Sequence, residues 1–368
     1  MPNIPPPLAR ASAEKKAKLR RDAGRTKEDD MIQVRLGRTN LEVSKDAFGA
    51  LPLQRATVDE AVRILRKALD AGINFFDTAR VYTDSEEKIA VALSARRREF
   101  ILATKTQARN AADMKKDLAA SLGKLKSDYI DIYQFHNPGF IPRPGDDSGL
   151  YDAALEARAQ GKIRFIGITN HKLSLAKEAV ESGLYDTLQF PFSYLSTEDE
   201  IELTRLCAKK DVGFIAMKAL SGGLLTDIFT AQAWMTQYAN VAPIWGIQRE
   251  SELDELLEAI EHPAGLTPER MARVEKDRSE LSGDFCRGCG YCLPCPAEIP
   301  INMTARLSFF LKRSPIAAYI GPEWQSTMAR IDNCEHCGQC ASRCPYGLDP
   351  PALNEKNYRW YKEFLIKL

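Results

Sequence analysis

Residues 100–135, FILATKTQARNAADMKKDLAASLGKLKSDYIDIYQF, contain a short apolar run, an amphipathic stretch and a second apolar run. FILATK and YIDIYQF have the length of buried strands, and MKKDLAASLGKLKS between them carries apolar residues at helical spacing. The same unit recurs on both sides. The strand candidates are AFGAL from Ala47, INFFDT from Ile73, FILATK, YIDIYQF, IRFIGIT from Ile163, TLQFPF from Thr187, VGFIAMK from Val212 and APIWGIQ from Ala242. Helical stretches such as VDEAVRILRKALDAG and ESELDELLEAIE lie between or after them. Eight strands alternating with helices from Ala47 to about Ala259 predict an α/β chain of the (β/α)8 TIM-barrel type. The rival is a doubly wound open sheet, which normally carries a Gly-rich dinucleotide fingerprint after its first strand. Nothing of that kind follows AFGALPLQR.

The flanks read differently. VRLGRTNLEVS, residues 34–44, alternates around Gly37 and Asn40 and predicts a two-stranded hairpin. Residues 1–30 are proline-rich and then densely charged, with too few aliphatic side chains to offset the entropy of ordering, and predict a mobile arm. Past Pro263 the strand signal stops, and MTARLSFFLKRS and EWQSTMARI read as helices. The expected division is an arm at 1–30, a barrel at 31–270 and a smaller, mostly helical domain at 271–368.

Eight of the nine cysteines lie in that last part, in two runs that each end in Cys-Pro: Cys286, Cys289, Cys292, Cys295 and Cys334, Cys337, Cys340, Cys344. The second run has the C-x2-C-x2-C-x3-C-P spacing that wraps an iron–sulfur cubane, and the first is one residue short before its last cysteine. Tetrahedral zinc usually takes two separated CxxC pairs or histidines, and disulfide frameworks belong to small secreted domains. Two [4Fe–4S] clusters are expected, with crossed ligation. Cys286, Cys289 and Cys292 would hold one cluster with Cys344, and Cys334, Cys337 and Cys340 the other with Cys295. Three closely spaced thiolates cap one face of a cubane, and the proline turns the chain toward its neighbour. Cys207, in RLCAKKDVGF, reads as a small buried side chain on a helix.

With 51 Lys+Arg against 50 Asp+Glu and a net charge of +1, the chain has no global field that points to nucleic acid or an anionic membrane. No apolar run approaches the ~18 residues of a membrane helix. The first residues carry prolines and charges where a leader needs an apolar stretch, so Arg20-Arg21 makes no twin-arginine signal. Low-potential clusters and a reduced Cys207 fit the cytoplasm.

Barrel enzymes place their chemistry at the C-terminal ends of the strands. There the second strand ends in Asp77, followed by Tyr82, the third ends in Lys105 and the fourth in His136. Each has an ordinary structural explanation alone, as a helix cap, a half-buried ring, a solvated charge or a loop residue. Together they suit general acid catalysis beside a hydride donor. A phenol titrates near pH 10, and a nearby ammonium lowers that value. Lys105 is expected to do this for Tyr82, with Asp77 holding Lys105 and His136 binding a carbonyl oxygen.

DTARVYTDSEE, ATKT, YIDIYQFHNP, GITNH and MKALSGGLL resemble the aldo-keto reductase family over roughly residues 32–260. The resemblance assigns Asp77, Tyr82, Lys105 and His136 to the catalytic tetrad. It implies that a nicotinamide amide meets Thr169, Asn170 and Gln189, and that the pyrophosphate lies near Ser221, Gly222, Gly223 and Leu224. Two positions depart from the pattern. Met217 and Lys218 stand where many members stack an aromatic ring on the nicotinamide. Gln248 and then Arg249 stand where the family often places a cation for the ribose 2′-phosphate, and only Arg249 can pair with that dianion. NADP(H) and NAD(H) both remain open. The C-terminal region is similar to α-helical two-cluster ferredoxin domains, so the chain resembles the aldo-keto reductases with a fused ferredoxin domain.

Hydride transfer moves two electrons and a cubane normally passes one, and no flavin motif is visible. Three readings follow. The chain is a reductase or dehydrogenase of a small carbonyl or alcohol whose clusters exchange electrons with a redox partner protein; or it is that enzyme with purely structural clusters; or it is a silent barrel serving as a nucleotide-sensing or electron-relay module. FHNPGFIPRPGDDSG after the fourth strand and the ferredoxin domain are the expected pocket walls. The tail NYRWYKEFL, with Tyr358, Trp360, Tyr361 and Phe364, reads as a helix face packed on the neighbouring domain or as a lid.

Overall fold

The computed structural model describes residues 31–281, 285–313 and 316–368, so the arm expected at 1–30 lies outside the described residues. Strands β1 (Gln33–Arg35) and β2 (Glu42–Ser44) form the expected antiparallel hairpin, with Val34 opposite Val43. Leu36 and Val43, fully buried, pack with Ala47, Phe75, Ala103 and Ile215 from the barrel strands, so the hairpin closes one end of the barrel. Gly37 makes this possible. Its φ is +54°, and a Cβ there would stand 2.2 Å from the Gly213 nitrogen.

Eight parallel strands close the barrel: β3 (Ala47–Gly49), β4 (Phe75–Asp77), β5 (Ile101–Thr106), β6 (Ile130–His136), β7 (Ile163–Thr169), β8 (Thr187–Pro191), β9 (Gly213–Met217) and β10 (Val241–Gly246). Closure comes from β10, which pairs with both β9 and β3. The alternating helices are α1 (Val58–Asp70), α2 (Ser85–Leu93), α3 (Ala111–Leu125), α4 (Leu150–Ala159), α5 (Leu173–Glu181), α6 (Glu198–Lys209), α7 (Ile228–Met235) and α8 (Glu250–Glu261). Local chemistry starts several of them. Thr57 with Glu60 and Thr197 with Glu200 form reciprocal capping boxes at α1 and α6. Cys207 is fully buried on α6, as the sequence suggests, and burial pushes its thiol up.

Helix α9 (Pro268–Glu280) crosses residue 270 and stays on the barrel, where Tyr194 donates to Asp277 at 2.6 Å and Arg278 donates to the Tyr194 carbonyl at 2.6 Å. Beyond it come the short helices α10 (Ile301–Thr304), α11 (Leu307–Arg313), α12 (Ala317–Ile320), α13 (Pro322–Ala329) and α14 (Gln339–Ser342), then the longer α15 (Pro350–Ile366). These share a second apolar core that includes Ile299, Leu307, Met328, Ile331 and Tyr361. Tyr361 is buried and donates to the Tyr319 carbonyl at 2.8 Å, and Tyr358, Trp360 and Phe364 pack against the same core. The aromatic tail is therefore part of its own domain's interior, which corrects both the lid and the packing on the barrel.

Gly167, in the middle of β7, leaves room for the residues that hold the barrel's polar centre: a Cβ there would meet Thr187 Oγ1 at 2.4 Å and Gln134 Cγ at 2.8 Å. Gly167→Ala is expected to cost about 1–3 kcal/mol by overpacking, read as a lower thermal midpoint with the circular dichroism of the folded state retained.

Candidate active site and cluster cavities

Strand register brings the tetrad together. Asp77 pairs with Ala103 of β5, so Lys105, two residues further along, faces the same way. Lys105 in turn pairs with Gln134 of β6, two residues before His136. Lys105 Nζ lies 2.6 Å from Asp77 Oδ1 and 2.6 Å from the Thr78 carbonyl, with side chains only 1% and 2% exposed for Lys105 and Asp77. Gln134 donates to the other Asp77 oxygen at 3.1 Å, and Gln189 donates to Oδ1 at 3.5 Å. Burial pushes the Asp77 carboxyl up and the Lys105 ammonium down, and their contact opposes both. Above the pair, the Tyr82 ring centroid is 5.1 Å from Lys105 Nζ and 6.0 Å from the His136 ring, edge-on.

One of the expected electrostatic roles changes. The Tyr82 phenol stands above its ordinary value, raised by burial and then by Asp77, rather than lowered by Lys105. The Lys105 ammonium is committed to Asp77 and Thr78, and its charge is compensated where it stands. His136 is held down to about 3, by burial first and then by Lys105, and its Nδ1 has no hydrogen-bond partner. It is a neutral imidazole with a vacant ring nitrogen, suited to bind an oxygen by hydrogen bonding.

The residues expected around a dinucleotide lie on the same face of the barrel. Thr169 Oγ1 accepts from the Asn137 amide at 2.9 Å, and Asn170 donates to the Pro138 carbonyl at 3.2 Å while accepting from the Lys172 amide at 2.8 Å. Both are thus engaged with their own loops. Gln189 Oε1 is buried and unpartnered. A carboxamide N–H would supply the donor it lacks, so this end of the site fits a nicotinamide. Ser221 Oγ is 2.9 Å from Ser193 Oγ, the Gly222 carbonyl accepts from Arg306 at 2.8 Å, Gly223 has φ +88°, and Leu224 is fully buried. The amides of Gln248 and Arg249 both donate to Glu252, and the Arg249 guanidinium pairs with the same carboxylate at 2.6 Å.

The cysteines sort into two cavities. Cys286, Cys289, Cys292 and Cys344 line one, beside Tyr346. Cys295, Cys334, Cys337 and Cys340 line the other, which Cys292 also borders. The first cavity adjoins the barrel mouth. His171 Nδ1 is 2.7 Å from the Tyr346 hydroxyl, and its ring meets Tyr291, one of the two residues between Cys289 and Cys292, at 5.1 Å. Lys218 donates to the Arg287 carbonyl at 3.1 Å, and Arg287 pairs with Glu200 at 2.7 Å. Sequence reasoning missed Gln134, which its period-two spacing from His136 would have revealed. It also missed Tyr291, Arg287 and Arg306, whose roles arise only when the two domains meet.

The description Aldo/keto reductase family matches residues 47–232. The chain belongs to the aldo/keto reductase family. A 4Fe-4S dicluster domain matches residues 285–349, which contain both cysteine runs. Among similar proteins, the 6-dehydroglucose reductase of Novosphingobium aromaticivorans is 33% identical over 283 residues, 67% of this chain and 89% of that protein. The NADH-specific methylglyoxal reductase of Escherichia coli is 26% identical over 253 residues, 61% of this chain and 77% of that protein. The holo form of aldo-keto reductase AKR11C1 from Bacillus halodurans is 26% identical with a TM-score of 0.59, covering 67% of this chain and 96% of that one. Among the described residues of this aldo/keto reductase no helix is long and apolar enough to cross a membrane.

His136 gives a pH prediction for the reductase. An unfolded imidazole titrates near pH 6.5, while the folded one stays neutral down to about 3. The unfolded chain therefore binds the extra proton, and stability falls as pH drops below the unfolded value. His136→Asn is expected to flatten the pH dependence of the denaturation midpoint between pH 7 and pH 4 (roughly the span between the two values), as measured by urea titration.

Proposed function

We propose that this aldo/keto reductase interconverts a small carbonyl compound and its alcohol, with Asp77, Tyr82, Lys105 and His136 handling the proton. The observation that carries the reading is the buried Asp77–Lys105 pair beneath Tyr82, at 2.6 Å, with the vacant Nδ1 of His136 alongside. His136 orients the carbonyl oxygen and Tyr82 donates to it. A phenol with a raised pKa keeps its proton until charge develops on that oxygen. In the other direction the same groups take the proton from an alcohol.

A bound nicotinamide, NADP(H) or NAD(H), would supply or accept hydride, with its carboxamide at Gln189 and its phosphates toward Ser221–Leu224. Family membership and the name of the Escherichia coli relative support this part. The cysteine cavities are read as the seats of two [4Fe–4S] clusters in crossed ligation, Cys286, Cys289, Cys292 with Cys344 and Cys334, Cys337, Cys340 with Cys295, that carry single electrons to or from a redox partner protein. The dicluster match and the grouping of thiols support it. The barrel is taken as residues 31–270 and the cluster domain as 271–368, with α9 as the joint. The cytoplasm suits the two clusters so read and the unpaired thiol of Cys207, and the near-zero net charge gives no support to a nucleic-acid partner.

Tyr82→Phe is expected to lower carbonyl reduction by about 10²–10⁴-fold with nicotinamide binding by fluorescence unchanged; wild-type turnover would remove the tetrad role. Lys105→Met should lose activity and also cost about 3–5 kcal/mol of stability, because it strands a buried carboxylate.

Iron analysis should give about eight irons per chain. Cys344→Ser is expected to alter the paramagnetic resonance signal of the cluster on Cys286, Cys289 and Cys292, not the one on its own run.

A further inference from the structure

Two cations, Lys218 and Arg306, sit between the barrel mouth and the first cysteine cavity, and among the described residues neither pairs with a carboxylate. Arg306, between α10 and α11, is 4% exposed. One terminal nitrogen donates to the Gly222 carbonyl at 2.8 Å, Nε has no partner, and the guanidinium lies over the Phe310 ring at 4.7 Å. The turn between Cys286 and Cys289 is built around it: a Cβ on Gly288 would stand 1.8 Å from Arg306 Nη1. Lys218, just past β9, turns its ammonium onto the Arg287 carbonyl at 3.1 Å. The ionisable groups that face Lys218 include Cys289, Cys286, Arg306, Arg287 and His171, and those that face Arg306 include Cys286, Cys289, Tyr319 and Lys218. Arg287 is different, because Glu200 already neutralises it. Buried charges persist in proteins when an opposite charge is present. Here the anionic side of the balance is on the sulfur atoms.

Lys218 also faces the barrel. With Ser193, Ser196, Ser221 and Arg287 it lines a pocket between the end of β8 and the cluster domain. Pro191, Phe192, Leu195 and Phe285 line the rest of it, and with Arg287 held by Glu200 the three hydroxyls and the Lys218 ammonium are what would receive a phosphate or pyrophosphate. One ammonium thus stands between an anion pocket and a thiolate cavity.

We propose that Lys218 and Arg306 are the counter-ions of the cluster held by Cys286, Cys289, Cys292 and Cys344, and that Lys218 couples the redox state of that cluster to the occupancy of the anion pocket. This rests on the cluster ligation proposed above. One-electron reduction adds one negative charge to the cluster and breaks no bond, and a neighbouring cation favours the reduced form. An anion in the pocket adds negative charge beside the cluster and draws on the same ammonium, so it favours the oxidised form. By reciprocity the reduced cluster holds the anion less tightly. The second cluster, seated on Cys295, Cys334, Cys337 and Cys340, faces neither cation and serves as an internal control.

The test is a reductive titration of the full, iron-loaded chain, with dithionite as electron source and viologen mediators, followed by paramagnetic resonance. Lys218→Met and Arg306→Gln are each expected to lower the midpoint potential of one cluster and leave the other unchanged, and Lys218→Arg is expected to retain the wild-type value. Saturating inorganic pyrophosphate should lower the same midpoint in wild type and not in Lys218→Met. Calorimetry should show weaker pyrophosphate binding to the reduced protein. Unshifted midpoints in loaded Lys218→Met and Arg306→Gln overturn the counter-ion role, and absent pyrophosphate binding or a pyrophosphate effect that survives in Lys218→Met overturns the coupling. Wild-type protein that takes up no iron at the first cavity overturns the ligation reading itself, and this proposal with it.

Discussion

The Asp77–Lys105 contact is the constraint around which the barrel mouth is arranged. Two opposite charges at 2.6 Å, almost wholly removed from water, are favourable only when their remaining hydrogen-bonding capacity is met. Thr78 supplies a carbonyl to the ammonium, and Gln134 and Gln189 supply amides to the carboxylate. Thr78 follows β4, while Gln134 and Gln189 lie within β6 and β8, so with Lys105 of β5 four strands of the barrel are committed to one ion pair. Gly167 is part of the same arrangement, because any side chain there would displace Gln134. Burial and then the pair set the character of its neighbours: Tyr82 keeps its proton, and His136 stays neutral.

The second organising feature is the seam between the barrel and the cluster domain. Among the described residues its polar contacts include His171 with Tyr346, Lys218 with the Arg287 carbonyl, Arg306 with the Gly222 carbonyl, and Arg287 with Glu200. They fall on the segments that follow β7 and β9 and on the start of α6, which is the end of the barrel where the tetrad also sits. The cluster domain is therefore a wall of the reductase site rather than an appendage on its far side. Tyr291 makes the connection short, since it lies between two cavity-lining cysteines and its ring reaches His171.

Much of this was legible in the sequence, for identifiable reasons. Buried parallel strands are continuous apolar runs, so all eight could be marked, and the hairpin around Gly37 showed through its alternation. Asp77, Lys105 and His136 stood at strand ends, where period-two geometry turns them to a common face. The Cys-Pro spacing suggested that each run needs the other, and the structure brings Cys344 to the first cavity and Cys295 to the second. What could not be read was compensation. Asp77 was expected to hold Lys105, but composition and order do not give the depth of burial or the Thr78 contact, and Tyr82 is raised by burial and Asp77 where a lowering was expected. Nor does amphipathic patterning say which core a helix joins, which is why α15 was expected on the neighbouring domain or as a lid and instead packs in the core of its own domain. Seam residues such as Arg306 carry no local signature at all, since their role depends on how two folded units meet.

Lys218 has one property that its charge alone does not explain. Its φ is +59°, in the left-handed region that glycine enters freely and other residues enter at about 1–2 kcal/mol. Ser221, three residues on, is also left-handed, and its amide closes a turn onto the Lys218 carbonyl. By conformational preference alone, a glycine would be the better residue to leave β9 at this point. Stability and the seam therefore pull in opposite directions at position 218. A sequence optimised only for folding would lose its lysine there first, and a survey of thermally hardened variants would mistake the exchange for an improvement.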